Sequence, residues 1–270
     1  MKARRVEIVC GEGPFFGTGH AGRMKSLEAM LSREGVLVSI RFIRGYEELK
    51  STGMYDVSIL DARDADPSRL KSDKIIAIDN RHANRMNLQN SGVLFFDTLP
   101  HPECPYPEIL ENILIAPDLG SISFRPQNGR VLIYTGSFEM GAAFNGSLEA
   151  FAKNNRHFQI IKIGRESVSD CECHTRLERE SYLELLSRCE FVFSYFGMTL
   201  FEAWYLGAIP VLLAPPAAVH VDLAADLSQK SGIPVLERYF PDEWDSILKR
   251  KKMPREKIGG YGYQKILNLI

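Results

Sequence analysis

Short apolar runs alternate with stretches of helical periodicity along the chain. VEIVC (6–10) is a strand-like run that ends in GEGP. From His20 to Arg33 the apolar positions Met24, Leu27, Met30 and Leu31 recur at the spacing of an amphipathic helix. VLVSIRFI (36–43), YDVSILDA (55–62), KIIAID (74–79) and VLFFD (93–97) read as further strands, with GYEELKS as a short helix among them. Strands separated by helices of this length predict a mostly parallel, doubly wound α/β sheet.

The texture changes in the stretch 98–130. LPHPECPYPEI is rich in proline and NILIAPDLGSISFRPQNGR is irregular, which predicts a domain junction carrying an edge strand. The rhythm then restarts. RVLIYTG (130–136), HFQIIKIG (157–164), EFVFSYF (190–196) and IPVLLAPP (209–216) are predicted strands. GAAFNGSLEAFAKN, SYLELLSRC, TLFEAWYLG and VHVDLAADLSQKSG are the helices among and after them, and DEWDSILKR and YGYQKILNLI close the chain as helices. The expected architecture is two Rossmann-like units, 1–127 and 128–270, each opening with a strand that runs into glycine. Ligands of open parallel sheets bind beyond the carboxyl ends of strands, so two such units are expected to face each other across a cleft.

Composition narrows the function classes. The chain of 270 residues is 45% hydrophobic and 25% charged, with 33 basic against 34 acidic residues. That balance gives no electrostatic basis for nucleic acid or an anionic membrane as partner. Five cysteines are too few and too scattered for a disulfide framework. No apolar run approaches the length of a membrane span. The expectation is a reduced, cytoplasmic protein without stable membrane insertion.

Three loops after predicted strands carry the candidate chemistry. In FFGTGHAGRMKSLEAML (15–31), Gly17, Gly19 and Gly22 suggest tight backbone that lets amides approach an anion. His20 is a candidate general base. Arg23 is either a fork for phosphate or carboxylate or a structural ion pair. The spacing matches neither a P-loop nor a dinucleotide fingerprint, and a structural turn with an inert histidine is the competing reading. In SYFGMTLFEAWYLGAIPVLLAP (194–215), Gly197, Met198 and Thr199 open a helix whose first amides suit a pyrophosphate, and Glu202 suits the hydroxyls of a ribose. The same residues also read as a helix cap and a favourable first-turn acid. TGSFEMG (135–141) repeats the arrangement with Gly136 and Ser137. CECH (171–174) has tighter spacing than a zinc element and no second close pair, so it reads as a polar surface loop with no metal. HPECPYPE, with His101 and Cys104, reads as a proline-stiffened linker.

These residues together resemble the nucleotide-sugar hydrolase family of pseudaminic acid biosynthesis, which acts on UDP-2,4-diacetamido-2,4,6-trideoxy-β-L-altrose. That family is related to the UDP-GlcNAc transferase of peptidoglycan synthesis and has the GT-B fold. The resemblance spans nearly the whole chain: GTGHAGR, AIDN (77–80), IAPDLGSISFR (115–125), LIYTGSFE (132–139), FGMTLFEAWYLGAIPVLLAP and GGYGYQKILNLI. It implies that His20 activates water at the anomeric carbon, with Arg23 in the same catalytic group, and that Gly17 and Gly19 shape the pocket near diphosphate and sugar. It further implies that Gly136, Ser137, Gly197, Met198 and Thr199 line the phosphates, that Glu202 grips the ribose, and that Asp79 and Asn80 lie on the sugar side. Uracil is expected against backbone near 164–176. The implied partner is a UDP-sugar, with no cofactor and no metal. Departures from the family pattern are Asn80 for the second aspartate of its IDD segment, Gly136–Ser137 for a glycine pair, Tyr195–Phe196 where small residues are expected, and PPAAVH where relatives place a glutamine near His220. A glycosyltransferase using the same donor site and a non-catalytic nucleotide-sugar-binding protein are the other two readings.

Overall fold

The protein is described here from a computed structural model, which covers residues 4–13, 19–98, 110–136, 138–213, 218–251 and 253–270, with the backbone alone for 218–223. Gly17, Ser137, the linker with His101 and Cys104, and the side chain of His220 lie outside the described residues.

The first run of strands forms one parallel sheet. It contains β1 (Arg5–Gly11), β2 (Leu37–Ile43), β3 (Tyr55–Asp61), β4 (Ser72–Ile78) and β5 (Val93–Phe96), in the spatial order β2-β1-β3-β4-β5. Every pairing is parallel, as helix-length connections require. Strand β1 is buried from Val6 onward, so its run is almost continuously apolar. Val6, Ile8 and Cys10 pack with Met24, Leu27 and Leu31 of helix α1 (Gly19–Arg33). Val9 lies in a separate cluster with Ile43, Leu49 and Leu60. GYEELKS gives a single 3-10 turn, Tyr46–Glu48, and a short helix α2 (Arg85–Asn90) that the periodicity did not predict precedes β5.

The second sheet contains β6 (Gln127–Gly136), β7 (Gln159–Gly164), β8 (Glu172–His174), β9 (Cys189–Ser194), β10 (Ile209–Leu213) and β11 (Val235–Leu236). Their spatial order is β11-β10-β9-β6-β7-β8. Helices α3 (Gly141–Asn154), α4 (Arg179–Arg188), α5 (Met198–Leu206), α6 (Ala218–Ser231) and α7 (Pro241–Arg250) connect and follow these strands. The core on one face centres on Trp244, fully buried among Phe144, Phe151 and Phe193, with its indole Nε1 donating to Ser147 Oγ at 3.0 Å. CECH, read from its polarity as a surface loop, supplies the edge strand β8, whose Cys173 lies opposite Lys162 of β7. Polarity misled because an edge strand keeps one side in water. The edge strand expected in the irregular stretch is absent among the described residues 110–126, which instead form a 3-10 turn at Pro117–Ser121.

The chain divides into two compact units, and the division is not a single cut near residue 127. The first unit holds the described residues of Met1–Leu99 and Pro107–Ala116 together with Gly260–Ile270; the second holds Pro117–Gly259. Helix α8 (Gly262–Leu269) therefore belongs with the first sheet, where Tyr263 and Ile266 enter the α1 core. Gly262 permits this docking. A methyl group there would sit 2.0 Å from the Asn112 carbonyl oxygen. Among the described residues no helix is long and apolar enough to cross a membrane.

Candidate active site

The strand order of the first sheet places its switch point between β1 and β3, since the chain moves from β1 to one side and then to the other. A crevice beyond the strand ends is expected there. The residues found at that point are His20, in the first described turn of α1, and Asp61, the last residue of β3. His20 Nδ1 lies 2.6 Å from Asp61 Oδ1. Asp61 is fully buried and the His20 side chain is about one-fifth exposed. Burial pushes the Asp61 carboxyl up, but the charges and hydrogen bonds of Arg23 and His20 outweigh it and hold it well below the usual carboxylate range. An ionised carboxylate only accepts, so Nδ1 carries the proton and donates it. The 3.3 Å approach of Arg23 Nη2 to the same nitrogen is then a close contact without a hydrogen bond. With Nδ1–H occupied, Nε2 is the basic nitrogen of the ring.

Arg23 is the centre of a buried charge network. Its Nε donates to Asp61 Oδ2 at 2.7 Å and Nη2 to Asp61 Oδ1 at 2.5 Å, a bidentate fork. Nη1 donates to Asp79 Oδ2 at 2.6 Å and to Thr98 Oγ1 at 3.0 Å. Burial opposes the guanidinium charge, yet Asp61 and Asp79 raise its pKa further. The backbone carbonyl of Arg23 in turn accepts from Tyr263 Oη at 2.9 Å, tying α8 to the network. The two predicted catalytic residues are thus brought together, with Arg23 as the ion-pair partner of a carboxylate that sequence reasoning missed. A signal for Asp61 was present: an acid directly after VSIL in YDVSILDA, at the carboxyl end of a strand beside β1.

Asp79 and Asn80 follow β4 and point their chemistry inward. Asp79 Oδ1 accepts from the Thr98 amide at 2.7 Å and Oδ2 from the Thr98 hydroxyl at 2.6 Å. Its φ of 47° is left-handed, which aspartate tolerates better than most residues. Asn80 is fully buried; its Nδ2 donates to the carbonyls of Ala62 and Ala65 at 3.0 and 2.8 Å, and its Oδ1 accepts from the His82 amide at 3.1 Å. Asparagine at this position is therefore required locally. An aspartate would set a carboxylate against two carbonyl oxygens. Gly19 and Gly22 lie within α1 rather than in a tight turn before it. Neither has a positive φ, and a methyl group on either would meet nothing within 4 Å.

The switch point of the second sheet lies between β6 and β9, and both remaining candidate loops follow these strands. Gly136 ends β6 at φ 54°, a conformation suited to glycine. Gly197 precedes α5, with Met198 and Thr199 in its first turn. Thr199 and Glu202 are buried. Glu202 Oε1 accepts from Arg179 Nη1 at 2.8 Å and Oε2 from Tyr182 Oη at 2.9 Å. A phenol has one proton, so the 3.2 Å contact between Tyr182 and Thr199 is made with the threonine hydroxyl donating. Arg179 also grips Asp118 with Nε and Nη2 at 2.9 and 3.0 Å. Burial raises the pKa of Glu202, with Arg179 and Tyr182 opposing. Arg179, Tyr182 and Asp118 are neighbours of these candidate residues that no motif marked. The region proposed for a base, 164–176, is tied to the same unit: Lys162, fully buried, donates to the Glu166 carbonyl, and Glu166 Oε2 accepts from the Met140 amide at 3.0 Å. Among the described residues no group of His, Cys, Asp and Glu side chains comes together as a metal site.

No protein-family model and no curated protein matches the chain. Solved structures do match it over nearly its whole length. MurG of Acinetobacter baumannii is 11% identical, with a TM-score of 0.59 over 99% of this chain and 99% of that one. CalG4, the calicheamicin glycosyltransferase, is 14% identical, with a TM-score of 0.58 over 99% and 94%. The glycosyltransferase of kitacinnamycin is 11% identical, with a TM-score of 0.53 over 99% and 95%. Identities this low speak to fold alone. Two Rossmann-like α/β units, each with a switch point at the end of its first strand, and this full-length likeness establish that the chain has the GT-B fold.

Proposed function

We propose that the protein hydrolyses a UDP-activated amino or deoxy sugar at the anomeric carbon, releasing UDP and the free sugar. The observation that carries this reading is the 2.6 Å contact between His20 Nδ1 and buried Asp61, which leaves Nε2 as a base. Water needs such a base to become a competent nucleophile, and a positioned one contributes about 10²–10⁴-fold. In this mechanism His20 Nε2 takes the proton as the water oxygen bonds to C1. The C1–O bond to the β-phosphate breaks with inversion, and UDP leaves with the bonding electrons. Asp61 fixes the ring and stabilises the imidazolium; Arg23 keeps Asp61 ionised and in place. The second unit is assigned the nucleotide, with the first amides of α5 and Thr199 on the phosphates and Glu202 on the ribose. The resemblance to the hydrolases of nonulosonic acid biosynthesis supports water as acceptor and an amino sugar as substrate.

A glycosyltransferase is the second reading, favoured by the names of two of the similar solved structures, CalG4 and the kitacinnamycin enzyme. The same histidine would then deprotonate a sugar or aglycone hydroxyl. Incubation with a panel of UDP-, CMP-, GDP- and dTDP-sugars in oxygen-18 water, read by mass spectrometry, separates the outcomes. Label in the released sugar, lost in His20→Ala, supports hydrolysis at carbon. Label in phosphate overturns the mechanism, and cleavage only when an acceptor is added supports transfer.

A further inference from the structure

Tyr195 lies against two glycines, Gly136 and Gly197, at the switch point of the second sheet. Strands β6 and β9 are neighbours, with Tyr134 opposite Ser194 in register, so the segments that follow them converge. One side chain covers both. A methyl group added at Gly136 would lie 2.8 Å from Tyr195 Oη, and one at Gly197 would lie 3.3 Å from Tyr195 Cε2. The ring is held by aromatic neighbours: Phe138 meets it edge-on at 4.7 Å between centroids, and Tyr134 lies tilted at 6.3 Å. Its apolar body is therefore packed while its hydroxyl end reaches the Gly136 loop. The adjacent Ser194 Oγ is buried with no hydrogen-bond partner among the described residues, a polar atom that a ligand or water is needed to satisfy.

Resting on the nucleotide-sugar reading, we propose that the Tyr195 hydroxyl donates a hydrogen bond to the phosphate group that departs with the nucleotide. A fixed donor aimed at an oxygen that gains charge as C1–O breaks stabilises the transition state more than the ground state. Burial, with Tyr134 adding to it, pushes the phenol up to about 12, so it is a donor throughout the neutral range. The phenol thus lies over both glycines and makes the seat narrower and more directional.

The test is calorimetric titration of the wild type, Tyr195→Phe and Tyr195→Ala with UDP and with uridine, using instead whichever nucleotide and nucleoside the isotope panel identifies. Phenylalanine removes one atom and keeps the ring packing. The expected result is a loss of about tenfold or more in UDP affinity, as for a hydrogen bond to a charged group, with uridine affinity changed less than twofold. Equal UDP affinity in wild type and Tyr195→Phe overturns the role of Tyr195 and leaves the nucleotide reading intact. Tighter UDP binding by Tyr195→Ala than by wild type overturns it too, because the ring is then an obstruction. A wild type that binds neither the panel nucleotides nor their sugars refutes both readings together.

Discussion

Replacing Asp61 by asparagine tests the dyad at a single atom. Asp61 accepts three contacts, from His20 Nδ1 at 2.6 Å and from Arg23 Nε and Nη2 at 2.7 and 2.5 Å. An amide can offer one accepting oxygen; at the Oδ2 position it keeps the hydrogen bond from Arg23 Nε, and the amide nitrogen takes the Oδ1 position that His20 Nδ1 and Arg23 Nη2 share. The amide nitrogen then faces His20 Nδ1 and donates, so the imidazole proton moves to Nε2. A protonated Nε2 cannot take a proton from water. Turnover is expected to fall about 10²–10⁴-fold, the range of a lost general base. Nucleotide affinity should not change, because Thr199 and Glu202 belong to the second unit.

The stability cost is worked separately. Arg23 keeps Asp79 at 2.6 Å and Thr98 at 3.0 Å, so its buried charge is not stranded. The loss should fall below the 3–5 kcal/mol of an orphaned buried ion, at about 2–3 kcal/mol. The sign of its pH dependence follows from the depressed carboxyl of Asp61. Its contribution is present above the unfolded value near pH 4 and is lost as pH falls through the lower folded value. The gap in Tm between wild type and Asp61→Asn should therefore narrow below about pH 4. Kinetics with the panel substrate, calorimetry with UDP and thermal melts across pH supply the three readouts. A folded Asp61→Asn with kcat within fivefold of wild type would refute the base assignment, whatever its stability.

Three further substitutions probe other links. Asn80→Asp should cost about 2–3 kcal/mol, because a charge replaces the donor facing the Ala62 and Ala65 carbonyls; a denaturant midpoint equal to wild type would contradict the clamp. Gly22→Ala should stabilise the protein by about 0.5–1 kcal/mol, since the helix gains a better former and the methyl group meets nothing; a denaturant midpoint at or below that of wild type would contradict the open space at this position. Glu202 has a raised folded pKa, so its contribution is present below the unfolded value near 4.3 and is lost as pH rises through the folded one. Relative to Glu202→Gln, the wild type should thus lose stability between acid and neutral pH, while the variant loses UDP affinity about tenfold; melts and calorimetry that leave both unchanged would remove Glu202 from the nucleotide seat.

The strands and most helices were legible because burial on both faces makes parallel strands apolar without interruption, and α1 shows its inner stripe at Met24, Leu27 and Leu31. What local pattern could not show was decided by distant contacts. Strand β8 looked polar because it lies at an edge, and helix α8 returns to the first unit through Gly262 against Asn112, residues 150 positions apart in sequence. The candidate residues were visible at strand ends for the same reason that ligands bind there: a loop after a buried strand is where polar side chains can appear.

The partners of those residues were hidden, and the reason is topological. His20 and Arg23 are three residues apart, but Asp61 lies on a strand that is next to β1 only because the sheet order is 2-1-3. Asp79 and Thr98 come from still later segments. A motif records a catalytic group only where the chain supplies neighbours locally, and here the group that sets the tautomer comes from another strand. The same holds for Glu202, whose partners Arg179 and Tyr182 precede it by 23 and 20 positions. Asn80 shows the converse. In the sequence it is a departure from an aspartate pattern, whereas in the structure its amide is fully used in clamping the segment after β3. A substitution in a motif speaks to catalysis only after its structural partners have been counted, and at Asn80 they account for every hydrogen-bonding side-chain atom.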